Sequence, residues 1–355
     1  MKVMSIFGTR PEIIRLSSVF KELEKKGFDH TMVNTCQNYT YSLNRVFFNQ
    51  LGIRRPDYEL RIATSSFGTE IASIIRKTEE ILLKERPEIV LILGDTNSGL
   101  SAIPAAYHGV RIAHMEAGMR SYDWRMPEEK NRVTIDHLSS VLFPYTEYSR
   151  QNLLRENIAP NKIYVIGNPI VDVIQSFNKD IEKCDILNEM NLEKGKYFLV
   201  TAHRTENVDD KKSLSNILRG LELIYKKYGF RVIYPMHPRT RSKIGKLKIP
   251  KGVEAINPLG FIEFAKLEKE CLCLITDSGT VQEEGCYFRV PCVTIRKTTE
   301  RPETVEIGSN IIAGLDPENI LASVGAAIKT VPDWEYSLGD GRSSVRVVNV
   351  LRGVF

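Results

Sequence analysis

Between residues 114 and 132 the chain gathers acids and bases at a density that suits chemistry better than a packed core. The run His114-Met115-Glu116-Ala117-Gly118-Met119-Arg120 is followed by Arg125-Met126-Pro127-Glu128-Glu129-Lys130-Asn131-Arg132. A short apolar stretch, Val110 to Ala113, leads into it. Carboxylates and cations collected just past a strand end are where open α/β proteins place their chemistry, so this segment reads as half of an active site.

Other segments repeat the strand-to-helix setting. Gly8-Thr9-Arg10-Pro11-Glu12 opens a helix, with Pro11 where a missing amide proton costs nothing. A helix N-terminus attracts anions and Arg10 adds a charge-assisted donor, which suits a phosphate; the plainer alternative is a capped helix start with a solvated Arg. In Gly94-Asp95-Thr96-Asn97-Ser98, Asp95 is either a helix cap or a strand-end acid converging with Arg10 and Glu116 on one crevice. His203 and His237 both sit in polar strand-end loops beside arginines, and neither has the spacing of a zinc site. The turn Thr276-Asp277-Ser278-Gly279-Thr280-Val281-Gln282-Glu283-Glu284 offers amides and hydroxyls to a phosphate, while Glu284, farther along its helix, can hold a ribose hydroxyl pair. Thr298 to Glu303, including Arg301, adds polar groups on the same side.

The elements that position these residues alternate. Strands are expected at Lys2 to Phe7, Thr31 to Thr35, Ile89 to Leu93, Arg111 to Met115, Val141 to Phe143 and Lys162 to Ile166. Helices are expected between them, among them Tyr39 to Leu51 and Ser98 to His108. After a polar stretch through Lys196 the pattern restarts, with strands at Tyr197 to Thr201, Val232 to Pro235, Val253 to Ile256, Leu272 to Ile275 and Cys292 to Ile295. Strands separated by helices imply parallel sheets, and two such units imply a cleft between them. The expected organisation is α/β, two Rossmann-like doubly wound domains at 1–168 and 169–335, with a C-terminal segment, 336–355, packing back on the first.

Composition narrows the class. With 355 residues, 42% hydrophobic and 26% charged, the chain reads as a soluble globular protein of two domains. Its net charge of +5 is dispersed rather than striped, which excludes a nucleic-acid groove and accommodates an anionic small substrate. Six cysteines without a Cys-x-x-Cys pair read as buried free thiols. No apolar stretch reaches membrane-spanning length, so the expected setting is the cytoplasm, without a membrane partner.

Taken together, Gly8 to Glu12, Gly94 to Asn97, His114 to Gly118, Pro127 to Arg132, His203 to Asn207, Thr276 to Glu284 and Thr299 to Glu303 resemble, in order and spacing, the non-hydrolysing UDP-N-acetylglucosamine 2-epimerases. That resemblance implies a GT-B type fold and inversion of C2 in a UDP-N-acetylhexosamine, without NAD or a catalytic metal. It matches Asp95, Glu116 and Glu128 to the family's catalytic carboxylates and His203 to its active-site histidine. It gives Arg10, His203, Ser278 and Gly279 to the diphosphate, Glu284 to the ribose and Phe264 to the uracil edge of the pocket.

Three positions depart from the family pattern. Arg15 stands for a lysine, Thr280 for a second glycine, and Cys36-Gln37-Asn38-Tyr39 for a Gln-His-Arg segment that helps bind an activating UDP-sugar. The last, with Arg10 to Ser17 and Pro144 to Glu147, resembles the branch acting on UDP-2-acetamido-2,6-dideoxy-L-talose to make UDP-N-acetyl-L-fucosamine for surface polysaccharide. UDP-GlcNAc to UDP-ManNAc is the alternative. A glycosyltransferase would share the fold but lack the Glu116 and Glu128 pair. The expected partners are a UDP-sugar and a second copy of the chain.

Overall fold

The computed structural model describes residues 1–37, 48–62, 66–236, 238–245, 248–335 and 338–354. Two expected features, the Tyr39 to Leu51 helix over most of its length and His237, lie outside them, as do Asn38 and Tyr39. The chain forms two compact units, Met1–Ser176 with Ser337–Phe355, and Phe177–Tyr336.

In the first unit six strands form one sheet: β1 (Lys2–Phe7), β2 (Asp29–Asn34), β3 (Tyr58–Glu59), β4 (Ile89–Leu93), β5 (Arg111–Met115) and β6 (Val141–Phe143). All pair in parallel, in the order β3-β2-β1-β4-β5-β6. The all-apolar sequence of β4, buried throughout, is what a parallel strand covered on both faces requires. Met4, Ile6, Val33, Val90 and Ile92 of the sheet pack with Ile74, Ile81 and Leu82 of the helix Phe67–Glu85 and Ile135 of the helix Pro127–Leu138.

The second unit repeats the plan with β7 (Tyr197–Thr201), β8 (Arg231–Pro235), β9 (Val253–Ile256), β10 (Cys273–Thr276), β11 (Cys292–Thr294) and β12 (Asn310–Ile312). Its order, β12-β11-β10-β7-β8-β9, is the same topology renumbered. Strand order therefore reverses at β1/β4 in one unit and at β7/β10 in the other. Open α/β sheets bind ligands beyond the strand ends at such reversals.

Local differences from the sequence reading have local causes. Lys162 to Ile166 is not a strand: its pairing is reduced to one bridge, Leu142 to Ile163. The stretch after Pro169 is helical over Pro169–Lys183, because Ile170, Val171, Val173, Ile174 and Ile181 recur at helical spacing and are buried. Between β4 and β5 the helix starts as a tight turn, Asn97–Ser101, before Ala102–Tyr107. There Gly99 packs so closely that a Cβ would fall 2.4 Å from Ile135. The short strands β3 and β12 carry too few residues to show an alternation.

At the C-terminus the helix Ser343–Val354 buries Val347, Val348 and Leu351 and packs on the helix Arg10–Lys25. Asp172 caps it, accepting from the Ser343 and Ser344 amides at 3.1 and 2.9 Å and from the Ser344 hydroxyl at 2.7 Å. No helix among the described residues is long and apolar enough to cross a membrane. All six cysteines are free thiols.

Candidate functional site

Most of the candidate residues cluster past the strand ends at the two reversals. In the first unit Gly8 ends β1 in a space without room for a side chain: a Cβ would lie 2.1 Å from the Thr35 hydroxyl and 2.3 Å from that of Ser98. The Glu12 carboxylate turns back on its own helix start, accepting the Gly8 amide at 2.6 Å and the Thr9 amide at 3.2 Å. Those amides are therefore committed to the protein itself. The phosphate-binding potential of this turn rests on Arg10, half-buried beside it. Burial pushes the Glu12 carboxyl up to about 7, against the pull of the Thr96 hydroxyl and the two amides.

Asp95 follows β4, and Arg132 grips it: Nε donates to Oδ2 at 3.0 Å and a terminal nitrogen bonds the same oxygen. Arg132 is itself buried and donates to Glu129 at 2.6 Å. Asn131 donates to the Asp95 carbonyl at 2.9 Å. Glu129 accepts from the amides of Ser121 and Tyr122 and from the Ser121 hydroxyl, which folds the preceding loop. Its neighbour Glu128 stays half-exposed in the first helical turn, where a carboxylate is favoured by the helix dipole.

Glu116 follows β5 with its backbone in the left-handed region, φ 68°, which is unusual for a residue with a side chain. Its carboxylate accepts from Arg15 and, at 3.4 Å, from the Tyr145 hydroxyl. Arg15 is buried, with its guanidinium carbon 5.9 Å from the Tyr145 ring centre.

In the second unit Asp277, fully buried at the end of β10, is the organising acid. It accepts the His203 amide at 3.0 Å, the Arg204 amide at 2.9 Å and the Asn207 side chain at 3.0 Å. The His203 ring, 47% exposed, holds Nδ1 3.5 Å from the Asp277 carboxylate. Ser278 starts the helix Gly279–Phe288, and Thr280 lies half-buried in its first turn. Gly279 lets the Arg301 guanidinium lie directly on that start, since a Cβ would meet it at 2.7 Å. Arg301 is aimed by Glu283 at 3.0 Å and Glu300 at 2.8 Å. Arg204 also bonds Glu300 at 3.0 Å.

Glu284 is buried on the same helix. Burial, with the charge and hydrogen bond of Glu284, pushes neighbouring Glu268 well above the usual carboxylate range. Phe264 packs half-buried on an apolar cluster that includes Leu267 and Val281. Among the described residues no group of three His, Cys, Asp or Glu side chains is arranged to hold a metal ion.

Asp277, Arg132 and Asp136 were not singled out from the sequence, although each lies in or beside a motif. Asp277 had the same strand-end signal as Asp95. Nothing in the sequence linked Arg132 to Asp95, 37 positions away.

Comparison with known proteins agrees with this arrangement. The family described as UDP-N-acetylglucosamine 2-epimerase matches residues 21–352. A UDP-N-acetylglucosamine 2-epimerase of Methanococcus maripaludis is 43% identical, with 99% of this chain and 98% of that protein aligned. A UDP-2,3-diacetamido-2,3-dideoxy-D-glucuronate 2-epimerase of Pseudomonas aeruginosa is 36% identical over 99% of both chains. The crystal structure of Methanocaldococcus jannaschii UDP-GlcNAc 2-epimerase in complex with UDP-GlcNAc and UDP is 42% identical, covers 99% of each chain and superimposes with a TM-score of 0.95. With the family model matched over residues 21–352 and a relative 43% identical over nearly the whole length, the chain belongs to the UDP-N-acetylglucosamine 2-epimerase family.

Proposed function

We propose that this enzyme inverts C2 of a UDP-N-acetylhexosamine, with Asp95, Glu116 and Glu128 as its proton-transfer groups. The observation that carries this is the set of carboxylates in the first unit: Asp95 past β4, bonded by Arg132; Glu116 past β5, bonded by Arg15; and Glu128, half-exposed in the first turn of the helix that also carries Arg132. One carboxylate removes the C2 proton as the C1–O bond breaks and its electron pair leaves with UDP, giving a 2-acetamidoglucal. UDP then re-adds at C1, and a second acid returns a proton to the opposite face of C2. Arg10, His203, Ser278, Gly279, Thr280 and Arg301 serve the departing diphosphate. Glu284 serves the ribose, Phe264 the uracil and His237 the same binding surface. Arg15 acts through Glu116.

For the substrate, the UDP-GlcNAc to UDP-ManNAc reaction is supported by the relatives named for it. The 6-deoxy-L-talo sugar, favoured from the sequence on Gln37-Asn38-Tyr39, Arg10 to Ser17 and Pro144 to Glu147, becomes the second reading, since the relatives lend it no support. We place the enzyme in the cytoplasm as a homodimer. Incubation in heavy water with each UDP-sugar, followed by NMR, tests the reaction: deuterium appears at C2 of the true substrate. Its absence from every UDP-N-acetylhexosamine offered would overturn the mechanism.

A further inference from the structure

Beneath the turn that presents Glu116 lies a buried polar clamp that the proposed reaction does not use directly. Asp136, on the helix Pro127–Leu138 and 1% exposed, receives three donors. They are His114 Nδ1 at 2.7 Å, the Gly118 amide at 3.1 Å and an Arg120 guanidinium nitrogen at 2.7 Å. The three come from residues two before, two after and four after Glu116. The other nitrogen of His114, Nε2, lies 2.9 Å from the Gly94 carbonyl oxygen, the residue before Asp95.

A carbonyl only accepts, so Nε2 donates there. Burial pushes the Asp136 carboxyl up, but His114 and Arg120 outweigh it and hold the group below the usual carboxylate range. Asp136 and the Gly94 carbonyl thus hold the two edges of the His114 ring, tying the start of the Glu116 turn to the residue before Asp95.

This arrangement has a backbone purpose. A glutamate at φ 68° costs on the order of 1–3 kcal/mol and persists only where its surroundings over-determine it. Gly118, at φ 76°, cannot carry a side chain either, since a Cβ would fall 2.2 Å from the Ser149 carbonyl oxygen. The turn is thus held on both sides of Glu116 by one carboxylate.

We propose that Asp136 is a positioning residue for Glu116, its buried charge fixing the His114–Arg120 turn so that the Glu116 carboxylate meets the sugar in reacting geometry. The proposal rests on Glu116 being a proton-transfer group. Asp136→Asn keeps the shape but turns one acceptor into a donor facing donors. Its kcat for C2 deuterium exchange should fall about 10²-fold, the usual consequence of an ångström-scale misplacement, with KM and the calorimetric affinity for UDP within about twofold. Because Asp136 acts through Glu116, Asp136→Asn combined with Glu116→Gln should be no slower than Glu116→Gln alone.

A folded Asp136→Asn enzyme with wild-type kcat, or a double variant slower than Glu116→Gln by the full factor, overturns the proposal. Wild-type kcat in Glu116→Gln overturns the role of Glu116 instead. Should Asp136→Asn not fold, His114→Gln removes the ring that joins Asp136 to Gly94: kcat for C2 exchange falls with UDP affinity within about twofold, and a wild-type kcat refutes the clamp.

Discussion

Asp95 is bonded by Arg132 and Glu116 by Arg15, while Glu128 stands half-exposed in a first helical turn, and the proposed reaction asks these acids to move protons on two faces of one carbon. Replacing each by its amide, Asp95→Asn, Glu116→Gln or Glu128→Gln, should lower kcat for C2 exchange by about 10²–10⁴-fold, the usual weight of a positioned acid or base. Affinity for UDP by calorimetry should stay within about threefold. Loss of UDP binding in all three would move them to the nucleotide site. Glu12 gives a second prediction at this scale. Its carboxyl rises from an ordinary value of 4.5 to about 7 on folding, so its contribution to stability is fully present below pH 4.5 and is lost as pH rises through 7. The difference corresponds to about 3 kcal/mol. Glu12→Gln still accepts the two amides without a charge. Denaturant titrations should show the variant gaining on wild type as pH increases from 4.5 to 8; parallel curves would mean that Glu12 does not titrate in this window. The acids themselves were legible in the sequence because each follows an apolar strand run. The groups that aim them were not: Arg132 and Asp136 were not singled out, and Arg15 was read as a substrate-binding residue rather than as the partner of Glu116, because the partners lie far along the chain.

One helix, Pro127–Leu138, does most of the aiming in the first unit. It carries Glu128 in its first turn, reaches Asp95 through Asn131 and Arg132, and reaches the Glu116 turn through Asp136. In the sequence its first turn was visible as a cluster of acids and bases carrying Glu128, but Asp136 in its last turn was not singled out. In the second unit the helix Gly279–Phe288, which follows β10, has its start covered by Arg301. Gly279→Ala would push a methyl group into that guanidinium and dislodge it from Glu283 and Glu300. We expect a loss of UDP affinity of about tenfold, roughly one charge-assisted hydrogen bond, together with a lowered unfolding midpoint, because the ion pairs it disturbs are buried. Unchanged affinity would remove Arg301 from the phosphate site. Strand positions were legible wherever an apolar run was four residues or longer. They failed at β3 and β12, where two or three residues cannot display a period, and at Lys162 to Ile166, where an apolar, β-branched run pairs only once.

For the whole molecule, the C-terminal helix belongs to the first unit although more than 150 residues of the second precede it. It supplies three buried apolar side chains, each worth roughly 1.5–3 kcal/mol. Truncation before Ser343 should therefore lower the unfolding midpoint of the first unit in denaturant while leaving UDP affinity within about threefold. Equal loss in both would mean that the units do not unfold separately. The sequence by itself determined the two doubly wound units, because parallel strands buried on both faces must be apolar runs separated by helices. It also determined the acids and glycines at the strand ends, because tight strand-to-helix turns restrict what can stand there. Only the tertiary structure decided that strand order reverses at the same point in both sheets, that the amides of Gly8 and Thr9 are taken by Glu12, and that Asp136 clamps the turn around Glu116. These are contacts between residues distant in sequence, and their geometry exists only once sheet and helices have packed.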